Sequence, residues 1–263
     1  MLSANPLARK LSAFAPLAAA DLAALDLSAC RHRRLDRGAD IIQQDDYSRH
    51  VHLILSGVAG RFKRTEGGAR QITAYMLPGD LCDLYVFILE KMDHSIGALS
   101  ECEVVNIPQK TVLRWLSRPN LAQALWKSTL VDEAILRQWI VNLGRKSATG
   151  MLAHLFCELW VRMHTVGLTA NGGFSLPLTQ QILADTAGLS IVHVNRSLQE
   201  LRGMKLIEIG GGELRILDAA RLRRIADFEG DYLHLNERVP AAAEDAFERA
   251  PRRLDVNPAE GIG

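Results

Sequence analysis

Over residues 36–108 apolar side chains come in short runs that alternate with polar ones. Val51, Leu53 and Leu55 alternate with His50, His52 and Ile54 ahead of Gly57, and Arg61 to Arg64 lead into Glu66-Gly67-Gly68. Gln71 to Met76 then runs into Pro78-Gly79-Asp80. Short strands with turn residues roughly every 8 to 12 positions predict an antiparallel sandwich or jelly-roll barrel.

After Pro119 the period becomes helical. Val131, Ile135 and Trp139 form one stripe, and Leu136, Ile140 and Leu143 a second, so the helix is apolar around more than half its girth. Such a helix needs two neighbours. Either one large domain buries it, or one stripe meets the barrel and the other meets the same helix of a second copy. In the second arrangement Val131, Ile135 and Trp139 form the dimer interface, with Gln138 and Asn142 as polar positions that set its register.

A further helix is expected over 151–163, a polar connection over 165–173, two helices and a hairpin over 179–217, and a closing helix over 219–226. Phe228 and Leu233 are expected to pack back on that helix. Residues 236–263 carry Pro240, Pro251 and Pro258, many charges and no periodicity, which predicts a disordered tail. Ahead of the barrel, Arg9-Lys10 and the apolar run from Leu11 imitate a secretory signal. Ser12, Pro16 and the leucines that continue through Leu22, Leu25 and Leu27 past Asp21 predict an amphipathic leading helix instead.

Composition narrows the classes. Of 263 residues 48% are apolar and only 9 are proline, which excludes a largely disordered or collagen-like chain. Lys and Arg number 31 and Asp and Glu 30, leaving a formal charge of +1, so any nucleic-acid face must be local. The four cysteines, Cys30, Cys82, Cys102 and Cys157, include no CxxC pair and match neither a disulfide framework nor a four-thiolate metal site, which favours a reducing cytoplasm. No run of about 18 apolar residues predicts a membrane span.

The chemistry concentrates in residues 179–203. Two helices joined by a tight turn need a small residue at their approach, a glycine in the turn and an apolar residue facing back. Ala184, Gly188 and Val194 stand at those places, and Ser190 stands where an N-cap is wanted. Leu206 to Ile209, Gly210-Gly211-Gly212 and Leu214 to Leu217 then read as a hairpin, completing a winged helix. From Ser190 to Arg224 seven basic side chains face four acidic ones, a local excess of three.

A β-roll, a long helix and a winged helix in this order resemble the Crp/Fnr family of bacterial transcription regulators. The likeness spans roughly residues 20–230 and is strongest from Leu178-Thr179-Gln180 through Gly188-Leu189-Ser190 and Val194-Asn195-Arg196 to Leu206-Ile207. Ser56-Gly57, Pro78-Gly79-Asp80-Leu81 and Phe87 stand where the family has its barrel turns. The resemblance implies an α+β fold: a β-roll with its leading helix (1–118), a dimerisation helix (119–145), a winged helix-turn-helix (146–235) and the tail. It also implies a homodimer on double-stranded promoter DNA, RNA polymerase as partner, and no enzyme activity, cofactor, metal or membrane.

Carried over by position, Ile191, Val192 and Arg196 occupy the base-contacting places, and Arg196 suits guanine O6 and N7. Val192 stands where many members have glutamate, which points to a thymine methyl, with His193, Asn195 or Gln199 as further polar contacts. Thr179 and Gln180 are placed to meet a phosphate, and Lys205 is read as another phosphate contact. In the effector pocket Cys82, Asp83, His94 and Ser95 replace the glycine, glutamate and arginine pattern of cyclic-nucleotide-binding members. Asp83 is one methylene short and His94 supplies no fixed charge, so cyclic AMP is not expected to bind. Two rivals compete with this reading. One is a metal-dependent jelly-roll enzyme built on His50 and His52, which lacks a nearby glutamate ligand and is better read as a solvated strand face. The other is a ligand-binding module without DNA binding, which leaves the winged helix without a role.

Overall fold

In the computed structural model, residues 5–235 apart from 85 and 90 are described, so the expected tail over 236–263 lies outside the described residues. Two short helices open the chain. α1 (Pro6–Ser12) is capped by Asn5, whose Oδ1 accepts the Leu7 N–H at 2.9 Å, and α2 (Ala19–Ala24) follows after a break. This corrects the single leading helix expected from the leucine pattern. Pro16 interrupts it, because proline has no N–H to donate and pushes the residue before it out of the helical region.

The β-roll is built from two antiparallel sheets. One has the order β1 (Arg31–Leu35), β7 (Cys102–Pro108), β3 (His50–Ser56); the other runs β2 (Asp40–Ile42), β6 (Ser95–Ala98), β4 (Ala59–Arg64), β5 (Arg70–Met76). A short α3 (Val86–Leu89) precedes β6. Ile54, Ala59, Met76, Cys82, Ile96 and Val104 fill the space between the sheets. Val51, Leu53, Val105 and Ile107 point the other way, under α1, α4 (Gln109–Leu116) and the start of α5. β3 is therefore buried on both faces, which a period-two pattern does not reveal.

Two turns require glycine. At Gly57, with φ +81°, a Cβ would sit 2.0 Å from the Glu101 carbonyl oxygen. Gly79, with φ +95°, lets the Pro78-Gly79-Asp80 turn approach the Pro6 carbonyl, which a Cβ would meet at 2.7 Å. That approach delivers Asp80 to its partners. Its carboxylate accepts Lys10 Nζ at 2.6 Å, Arg162 at 2.8 Å and the Leu77 N–H at 2.7 Å. Burial opposes its ionisation, but Lys10 and Arg162 outweigh burial and hold its pKa below the usual carboxylate value.

α5 (Pro119–Arg145) has 27 residues, about 40 Å of helix, with Pro119 in its first turn. Its Val131, Ile135 and Trp139 stripe is buried within the protomer, together with Asn142. Leu136, Ile140 and Leu143 are exposed, as are Trp126 and Leu130. The expected interface of Val131, Ile135, Gln138, Trp139 and Asn142 is thus corrected: its apolar members already cover α6 (Ala148–Thr165) and the β-roll and have no free face. α6 starts at Ser147, whose hydroxyl accepts the Gly150 N–H, and is buried for most of its length.

The winged helix follows: α7 (Gln180–Ala187), α8 (Ile191–Gly203), β9 (Ile207–Gly210), β10 (Glu213–Ile216) and α9 (Ala219–Ala226). Phe228 and Leu233 pack back on it, both buried. The stretch over 165–173, expected to be only a polar connection, leads into β8 (Gly173–Ser175), which adds a third strand in the order β8-β10-β9. Gly211 and Gly212 both have positive φ, as the two-residue primed turn of a hairpin needs.

Candidate nucleic-acid interface

The interface is set by caps. Thr179 Oγ1 accepts the Ile182 N–H at 3.2 Å and starts α7; Gly188, with φ +63°, ends it in the left-handed conformation; Ser190 Oγ accepts the His193 N–H at 3.3 Å and starts α8. Ala184 and Val194 are buried where the two helices cross, with Leu183, Leu198 and Leu201. This packing leaves one side of α8 outside. Ile191, Val192, His193, Asn195, Arg196 and Gln199 are all exposed there, with Val192 at 76%.

The polar groups on that side differ in how they are held. Asn195 Nδ2 donates to Gln180 Oε1 at 3.2 Å, tying α8 to the first turn of α7, where Thr179 is exposed and Gln180 half-buried. Among the described residues Arg196 has no hydrogen-bond or ion-pair partner. Arg202 is spent internally, donating to the Ile209 carbonyl and so fixing the wing to the end of α8. Lys205 is exposed just past α8, at φ +56°. Free donors at two helix starts and on one open helix face suit phosphates and base edges respectively.

Residues 151–225 match the model of the Crp-like helix-turn-helix domain, and residues 32–118 match that of the cyclic nucleotide-binding domain. The nitrogen fixation regulation protein FixK of Azorhizobium caulinodans is 30% identical over 191 residues, covering 72% of this chain and 76% of that protein. The chain belongs to the Crp/Fnr family of bacterial transcription regulators. The transcriptional activator protein FnrA of Stutzerimonas stutzeri is 29% identical over 78% of this chain and 84% of its own. The structure of FixK2 from Bradyrhizobium japonicum has the same fold, with a TM-score of 0.66 at 21% identity over 75% of this chain and 97% of that one. As a Crp/Fnr protein the chain is a sequence-specific DNA-binding transcription regulator; dimers and palindromic sites are typical of this family.

The β-roll interior of this Crp/Fnr member is organised differently from the interface. Asp83 is fully buried and both its oxygens are taken, Oδ1 by the His52 N–H at 2.9 Å and Oδ2 by His52 Nδ1 at 2.8 Å. His52 was expected on a solvated face with His50; His50 is exposed, but His52 is buried because its side of β3 lines the barrel. Cys82 is fully buried, and burial, reinforced by Asp83, pushes its thiol well above the ordinary value, so it is no nucleophile. Burial also raises Cys102. His94 is buried with Nδ1 at 2.6 Å from Asp93, and Ser95 Oγ accepts the Gln44 N–H. Burial, then the Arg61 charge, lower the His94 pKa against the pull of Asp93, so it is neutral at pH 7.

Arg61 is the residue that sequence reasoning missed. Its guanidinium donates to the Cys82 carbonyl at 3.1 Å, and among the described residues its buried Nε has no hydrogen-bond partner. The interior therefore does hold a fixed positive charge, although His94 does not supply it. The parity it shares with Ala59 on β4 was the available signal, since Ala59 lines the same interior. Among the described residues no three His, Cys, Asp or Glu side chains are grouped to hold a metal ion, and no helix is long and apolar enough to cross a membrane.

Proposed function

We propose that this regulator is a cytoplasmic homodimer that reads palindromic promoter sites through α8, acts there with RNA polymerase, and is not an enzyme. The observation that carries the reading is α8 itself, capped and packed on one side while its other side presents free polar and apolar groups. Arg196 takes a guanine in bidentate fashion, Val192 a thymine methyl, and Ile191, His193 and Gln199 flank them. Asn195 holds Gln180 toward the backbone; Thr179, Gln180 and Lys205 meet phosphates, and Ser190 caps the helix that reads the bases.

The dimer is supported by α5. Trp126 and Ile140 are 64% and 62% exposed, and Leu130, Leu136 and Leu143 continue the row. Large apolar side chains in a line on one helix are stabilised when a second copy covers them across a two-fold axis. Independence from cyclic AMP is supported by the β-roll interior, where His52 occupies the carboxyl of Asp83 and Cys82 fills space beside it.

Sedimentation of two variants tests the dimer. Ile140→Glu is expected to give a folded monomer, because only the second copy loses its contact. Ile135→Glu places a charge in the protomer core and is expected to unfold the chain. A folded dimer for Ile140→Glu would contradict the assignment of this face.

A further inference from the structure

The winged helix of each protomer is joined to the β-roll of the same protomer by polar contacts as well as by a shared apolar core that takes in Ile72 and Tyr75 of β5. Leu183, Ala184, Val194 and Leu198 already join α7 and α8 to α6 in one apolar cluster. In addition, three polar contacts run from β5 to the last turn of α7. Arg70 donates from Nε and from a terminal nitrogen to Asp185 Oδ2, each at 2.7 Å, and the other oxygen of Asp185 accepts Gln181 at 2.7 Å. Gln71 Nε2 donates to the Thr186 carbonyl at 2.9 Å. Tyr75, fully buried, donates its hydroxyl to Thr186 Oγ1 at 2.6 Å, since the Thr186 proton is already committed to the Ile182 carbonyl.

These contacts reach the dimer helix as well. The Tyr75 ring packs edge-on against Trp139 of α5, with centroids 5.6 Å apart. At the other end of α7, Arg37 donates to the Pro177 carbonyl at 2.8 Å, two residues ahead of the Thr179 cap. α7 is thus held from the β-roll near both ends. None of the links covers the exposed side of α8.

We propose that Arg70, Gln71 and Tyr75 are positioning residues for DNA binding: they latch the first helix of the helix-turn-helix to the β-roll and so fix α8 relative to α5. The inference rests on the dimeric reading above. Two recognition helices must enter successive major grooves at one spacing, and a winged helix free to swing loses orientational freedom each time both half-sites are engaged. The latch removes that freedom before DNA arrives. Because it grips the end of α7 away from the phosphate-facing first turn, it sets the angle of α8 without occluding it.

The test uses the full-length protein and the palindrome it selects in vitro from random duplexes. Affinity is measured for that palindrome, for versions with one base pair added or removed between half-sites, and for scrambled DNA. An Arg70→Gln, Tyr75→Phe double variant with unchanged melting temperature and dimer state is expected to lose about 10-fold on the palindrome and to discriminate less between spacings, while scrambled DNA is bound as before. The exchange R70D with D185R is expected to recover most of the affinity that R70D alone loses. Unchanged or tighter binding of the palindrome by the double variant, or no recovery in the exchange, would overturn the latch. Should Tyr75→Phe disturb the core, Arg70→Gln on its own, at a partly exposed position, gives the same comparison. If the unaltered protein selects no palindrome, the dimeric reading fails, and the latch with it.

Discussion

The outward side of α8 and the inside of the β-roll are both rich in polar side chains, yet they are held in opposite ways. On α8, Arg196 is exposed and without a partner among the described residues, while Val192 stands almost fully in solvent. In the β-roll, Asp83 is buried with both oxygens taken by His52, and His94 Nδ1 is paired with Asp93. A surface that meets a partner from outside keeps its donors free, because a group already bonded gains little by exchanging one partner for another. The interior follows the rule for buried polar groups, which are paired within the fold. The same family architecture thus presents one region ready for DNA and another whose polar groups mainly hold the barrel together. Arg61 Nε and Asn106 Oδ1 depart from that rule, both buried and without a hydrogen-bond partner among the described residues.

The sharpest way to test that contrast is to remove a member of the interior pair. His52→Ala leaves the buried Asp83 Oδ2 without its partner and is expected to cost about 3 kcal/mol, lowering Tm by roughly 10 °C. Calorimetric melting checks it; a Tm within about 2 °C of the unaltered protein would mean that the pair is not structural.

The next effect concerns pH and the helical domain. His154 is buried, accepting from Lys146 at Nδ1 and donating from Nε2 to Tyr232, which in turn donates to Glu158. Burial first, and Lys146 second, lower its pKa from 6.5 to about 4. A histidine held neutral in the fold takes up its proton first in the unfolded chain. Its contribution is therefore complete above pH 6.5 and is lost as pH falls toward 4, about 3 kcal/mol in all. Urea titrations at several pH values should show that loss, with a shallower pH dependence in His154→Gln. An equal slope in both proteins would assign the loss to other groups.

The smallest expected effect is none. Isothermal calorimetry with cyclic AMP at micromolar concentration should record no heat of binding, because Asp83 is occupied and His94 is neutral. Tight binding would place Arg61 in the role that His94 lacks, and Arg61→Gln would then abolish it.

Much of this could be read from residue order. Alternation and turn residues marked the β-roll, and Ala184, Gly188, Ser190 and Val194 marked the helix-turn-helix, because each of those places accepts few residue types. Three features were out of reach. The two stripes of α5 are equally apolar, and only the folded protomer, with Tyr75 and α6 packed against Trp139, shows that the 131-135-139 stripe faces inward. His52 and Asp83 lie 31 residues apart, and parity groups His52 with His50 without saying which side of β3 is inside. β8 has three residues, too few for a periodic pattern, and is defined by its pairing with β10.

The central claim is that α8 reads bases through Arg196. It is tested most directly by the affinity of Arg196→Ala for the selected palindrome and for scrambled duplex at one salt concentration. The account predicts a loss of about 1 to 3 kcal/mol on the palindrome, roughly 5- to 150-fold, and nearly unchanged binding of scrambled DNA, since a bidentate base contact carries sequence information. Equal losses on both duplexes would make Arg196 a phosphate contact and contradict the claim.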